Sequence, residues 1–158
     1  MQRTSLQDIA DRLGITKPAL YYHFPSREDL VRSILVPLIE EGERFVAEHE
    51  SREHTEAREL LEGYFDFHYR HRRDLVLLLT ELSTLIDLDL IDTVLAWRER
   101  LARLVFGKRP TLAQSTRAVV AFGGLQDCCV QFPDAPHAEL RDKSVAAALD
   151  ALGERPRR

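Results

Sequence analysis

No stretch of this chain alternates Val, Ile or Thr with polar residues, and its seven glycines and seven prolines stand between long runs rich in Leu, Ala, Glu and Arg. A strand needs an apolar period of two, whereas these runs repeat their apolar residues at three and four. That confines the chain to an all-α fold. Ser5 with Asp8 caps a short first helix whose Leu6, Ile9, Ala10 and Leu13 share a face and which Gly14 stops. Thr16 caps a second, with Pro18 in its first turn, Leu20, Tyr21 and Phe24 on its apolar side and Pro25 at its end. Ser26 and Asp29 open a long amphipathic helix through Leu30, Ile34, Leu38 and Phe45 to His49, with a kink expected at Pro37. Thr55 is expected to cap a helix bearing Leu60, Leu61, Tyr64, Phe65 and His68. Four more helices are predicted, over 72–85, 89–106, 111–130 and 137–152.

With 158 residues, 44% of them hydrophobic, the chain can bury one substantial core. Its longest aliphatic run, Leu75 to Leu79, is far short of the roughly 20 apolar residues of a membrane span. Acidic residues occupy the start where a secretory signal carries its apolar stretch, so a cytoplasmic protein with no membrane partner is expected. The two cysteines, Cys128 and Cys129, are neighbours and cannot form an unstrained disulfide. On a helix they diverge by about 100°, which rules out the usual zinc chelation, and no Cys or carboxylate spacing completes a site from His68 and His71. No metal or cofactor is expected. None of GxGxxG, GxxxxGK, HExxH or GxSxG occurs, so no enzyme is expected either. Gly123 and Gly124 each cost a helix about 1 kcal/mol relative to alanine, a penalty that close approach of a ligand or another helix explains.

The net charge of −4 gives no global basic field, but Arg3, Arg12, Lys17 and Arg27 against Asp8 and Asp11 leave residues 1–27 at +2. Two short helices joined across Gly14 and Ile15 make a helix-turn-helix, whose second member can lie in a major groove with its N-terminal side chains at the base edges. Lys17 and Tyr21 are placed to read bases, and Tyr22, His23 and Arg27 to meet phosphates. The segment TSLQDIADRLGITKPALYYHFPSREDLV, residues 4–31, resembles the N-terminal signature of TetR-type transcriptional regulators. The resemblance implies Gln7, Thr16, Lys17, Tyr21, Tyr22, His23 and Arg27 as DNA-facing positions and Ala19, Leu20 and Phe24 as framework. It also implies a short helix-turn-helix head, a long linking helix and an antiparallel helical ligand-binding and dimerisation domain, divided as 1–47 and 48–158.

Members of that family open with one more helix, packed across these two, whereas only MQRT precedes the Ser5 cap. Two readings therefore stand. One is a ligand-responsive repressor that binds a palindromic double-stranded operator and is released by a small apolar organic effector. The other is a dimeric helical ligand-binding or regulatory protein without DNA binding. Either should hold its effector among Tyr64, Phe65, His68, Trp97, Phe122 and Gln126, aromatic surface with a few polar handles on three middle helices. Homodimerisation is expected through the last two helices at Ala118, Gly124, Leu125, Cys128, Val145 and Leu149.

Overall fold

The computed structural model describes residues 16–80 and 90–153, together with Gln7, Ala10, Asp11, Gly14 and Ile86. Among them all regular structure is helical: α1 (Lys17–His23), α2 (Arg27–Glu50), α3 (Ala57–Arg70), α4 (Arg72–Thr80), α5 (Leu90–Phe106), α6 (Leu112–Gln131) and α7 (His137–Leu152). Gln7, Ala10 and Asp11 are helical too; Ser5, Leu6, Ile9 and Leu13 lie outside the described residues.

Local chemistry sets most boundaries. Gly14 adopts φ +66°, a left-handed turn that suits glycine by conformation, and no atom of the described residues lies within 4 Å of where a Cβ would stand. The Thr16 hydroxyl accepts the Ala19 amide at 3.4 Å to start α1, with Pro18 where no donor is missed. Ser26 Oγ accepts the Asp29 amide at 3.0 Å and donates to the Asp29 carboxylate at 2.8 Å, which starts α2. Pro37 lies inside α2 without ending it. The expected cap at Thr55 is not formed: its hydroxyl donates to the His49 carbonyl at 3.3 Å, and Glu56 takes the N-cap position of α3 without a side-chain bond. At α6 Thr111 and Gln114 cap each other reciprocally.

The main core gathers Leu60, Leu61 and Phe65 of α3, Leu101 of α5, Phe122 and Leu125 of α6, and Val145 of α7. α6 and α7 pack along each other, and Arg117 near the start of α6 donates to the carbonyl of Leu152 at the end of α7, so the pair is antiparallel. α3 lies across both, α5 covers α6, and α2 lies on α5. The head has a small cluster of its own in which Ala10 and Leu20 meet Phe24 and Leu30. A third cluster joins Leu38, Phe67 and Leu75. Helix α2 contributes to all three, through Leu30, Leu38 and Val46.

Four residues expected at a dimer interface take part in this packing. Ala118, Leu125, Val145 and Leu149 are buried within the single chain, where α6 and α7 press on each other and on α3. Periodicity marks an apolar face without saying what covers it. Gly124 is exposed and Cys128 half-buried.

Candidate functional site

Helix α1 is two turns long and is held down by one residue, Leu20, which is 4% exposed against the head cluster. Thr16, Lys17, Tyr21, Tyr22 and His23 are all exposed. Lys17 and Tyr21 are one turn apart, with the ammonium 5.5 Å from the ring centroid. Tyr22, 85% exposed, meets the His23 ring edge-on at 5.2 Å. Gln7 is exposed and its amide donates to the Asp11 carboxylate at 2.7 Å. Arg27 is half-buried in the first turn of α2. Of the framework positions, Leu20 and Phe24 pack in the head, but Ala19 is exposed.

Between the middle helices, Tyr64, His68, Trp97 and Gln126 line a cavity of about 40 Å³. Leu38 and Ile39 of the linking helix α2 close another side, and Arg98 of α5 joins the lining. Two residues expected there are elsewhere. Phe65 follows Tyr64 by about 100° around α3 and turns to Tyr69 and His137, each 5.7 Å away, while Phe122 packs edge-on to Tyr64 at 5.0 Å in the main core. His68 Nδ1 donates to the Tyr64 carbonyl at 2.9 Å. Burial holds the His68 pKa down at about 4, so the ring is neutral and its Nε2 is an acceptor. Burial likewise pushes the Tyr64 hydroxyl above the ordinary phenol range, which keeps it protonated. The Cys129 thiol, pushed up to about 12 by burial, belongs to the core.

A groove of about 1080 Å³ between the α2–α3 loop and the end of α5 is far larger, but it is open to solvent. Several of its cations are already neutralised, Arg52 by Glu59, Arg100 by Glu50 and Arg103 by Glu99. The small cavity is the less open of the two and is lined mainly by apolar and aromatic side chains, which makes it the better candidate for an apolar ligand.

One wall of that cavity is fastened to the linking helix. The Trp97 indole lies so close to Gly42 that a Cβ there would stand 2.5 Å from the ring, and the indole N–H donates to Glu43 at 2.8 Å. One turn along α5, Arg100 donates to both Glu43 oxygens, at 2.7 and 2.8 Å, and grips Glu50 with two further bonds at 2.9 and 2.7 Å. These bonds hold both carboxyls below the ordinary carboxylate range. Sequence reasoning missed Gly42, Glu43, Arg98 and Arg100. Gly42 alone carried a signal, a glycine in the middle of a strong helix pattern. By contrast nothing among the described residues lies within 4 Å of a would-be Cβ at Gly123 or Gly124, so no described helix or side chain accounts for them.

A short capped helix that exposes Lys17, Tyr21, Tyr22 and His23, set on a helical body by one long helix, has the form of the second member of a helix-turn-helix. Residues 1–34 match the family model of the bacterial regulatory proteins of the tetR family. The match covers the amino-terminal 34 of the 158 residues, the segment that carries α1. A search of curated proteins found no match to the chain. No helix among the described residues is long and apolar enough to cross a membrane.

Proposed function

We propose that the chain is a dimeric, ligand-responsive TetR-type repressor, with residues 1–47 as head and linking helix and residues 48–158 as effector and dimer domain. The observation that carries the ligand response is the shared wall: Leu38, Ile39 and Trp97 line the cavity, and Trp97 is bonded to the same helix, α2, that carries the head. At about 40 Å³ the cavity is well below the 300 Å³ or more typical of small-molecule sites, so an effector must push its walls apart. Displacing α2 changes how the two heads of a dimer are spaced on a palindrome, which releases DNA.

In the head, Lys17 and Tyr21 face base edges, while Thr16, Tyr22, His23, Arg27 and Gln7 meet the phosphate backbone. The dimer surface is the face of α6 and α7 that the chain leaves open: Val119, Val120, Gly123 and Gly124 with Ala146 and Ala147. Small residues with open space over them let a second copy approach closely, which accounts for two helical glycines that have no neighbour of their own.

The test is selection of a DNA site from random duplexes followed by fluorescence anisotropy with and without candidate effectors. A palindromic site whose binding falls on addition of an effector, and a Trp97→Ala chain that binds the site but no longer responds, are expected. No selected sequence, or an effector response unchanged in Trp97→Ala, would overturn the reading.

A further inference from the structure

We propose that the effector of this site is a monoanion, a single carboxylate on an apolar body, and that Arg98 is the side chain that recognises it. The inference rests on the effector-site reading above and names the chemistry of that site.

Arg98 lines the cavity, is half-buried, and makes no ion pair and no hydrogen bond among the described residues. Its neighbour one half-turn on, Arg100, satisfies its guanidinium with two glutamates. Among the described residues no Asp or Glu lines the cavity, although the Asp127 charge reaches Tyr64 from outside it. A partly buried guanidinium without a counter-ion is costly, and an arriving carboxylate, which fits its planar fork, removes that cost. The Arg98 charge also reaches Tyr64 and His68, where it favours the phenolate and disfavours the imidazolium.

The other polar groups fit the same ligand. Tyr64 keeps its hydroxyl proton and makes no hydrogen bond through it among the described residues, so it can donate to a carboxylate oxygen, as can the Gln126 amide. His68 is neutral and presents only an acceptor, suited to a hydroxyl or amide N–H on the ligand and not to a second anion. A cationic ligand would meet repulsion from Arg98, with no acid among the described lining residues to receive it. A phosphate or dicarboxylate would exceed one guanidinium. Leu38, Ile39, Val94 and Leu101 supply walls for an apolar body. The existing space of about 40 Å³ accommodates little more than a head group, so the body must part Trp97 from α2, which ties recognition of the acid to movement of the linking helix.

The experiment uses matched pairs, octanoate against octanamide and 2-naphthoate against 2-naphthamide, titrated calorimetrically into the full chain and scored for operator release. The wild type should bind each acid at least about tenfold more tightly than its amide. In Arg98→Gln that preference should collapse to within about twofold while amide affinity is kept, and Arg98→Lys should retain part of it. Far-ultraviolet circular dichroism checks that each variant is folded. Equal binding of acid and amide, or a preference that survives Arg98→Gln, would overturn the assignment. If the amides bind and release DNA without any acid preference, the effector site stands and the charge recognition falls. If neither series binds the folded wild type, both fall.

Discussion

At Gly42 a hydrogen stands where any other residue would put a carbon 2.5 Å from the Trp97 ring. Alanine is the better helix former by about 1 kcal/mol, so a free surface would gain from Gly42→Ala. Here the ring is held by Glu43 and has little freedom to retreat, and overpacking of about 1–3 kcal/mol should prevail. Urea denaturation should therefore show Gly42→Ala less stable than wild type, whereas the same substitution made in a Trp97→Ala background should cost little or stabilise. A stabilised single variant would contradict the contact. His68 offers a test through pH. Its folded pKa of about 4 lies below the unfolded value near 6.5, so the unfolded chain takes up the proton first as pH falls. The contribution of the neutral ring is complete above about pH 6.5 and declines toward pH 4, by about 2 kcal/mol at pH 5. Denaturation midpoints at pH 7 and pH 5 should differ less in His68→Gln than in wild type.

Between elements, the contact that matters most for signalling is α2 on α5, fastened by Arg100 to Glu43 and Glu50. The carboxylates are well exposed, so Arg100→Met should cost only about 1 kcal/mol of stability, but it should lower the effector concentration that releases DNA, because the clasp opposes separation of the two helices. Both carboxyls are held low, so their contribution is present above the ordinary carboxylate pKa and is lost as pH falls through the depressed values. On α1, Lys17→Ala should cost about 1–3 kcal/mol on the selected site and relax its sequence preference, whereas Arg27→Ala should weaken all duplexes alike and reduce the salt dependence. Competition binding at two salt concentrations separates the two. The caps at Thr16 and Ser26 and the Gly14 turn were legible because each is decided within three or four residues. Of the six residues expected at an effector site, Tyr64, His68, Trp97 and Gln126 line the cavity, each an aromatic or polar side chain at buried helical spacing. Phe65, Phe122, Leu125 and Val145 pack in the chain's own core, which no local pattern shows, because an apolar face is visible in sequence and its covering is not. The partners of Gly42 and Arg100 are far along the chain, and no local pattern announces them.

For the whole molecule, two kinds of substitution on one helix should part company. Gly124 is exposed and Leu125, beside it, is 1% exposed in the chain's own core. Gly124→Arg should leave a folded monomer of 18.2 kDa in light scattering, while Leu125→Glu should lose helical signal altogether. Dissociation without unfolding in Leu125→Glu would mean that α6 faces a partner where it is drawn facing α3. The small volume between Trp97 and the linking helix has a thermodynamic counterpart. An effector and an operator that favour different positions of α2 compete without touching, and the coupling between them is reciprocal. Whatever factor the effector takes from the operator affinity, the operator takes from the effector affinity. Titrated in the presence of saturating DNA, the same acid should bind more weakly by the factor by which it weakens DNA binding, so that each operator sets its own threshold for induction.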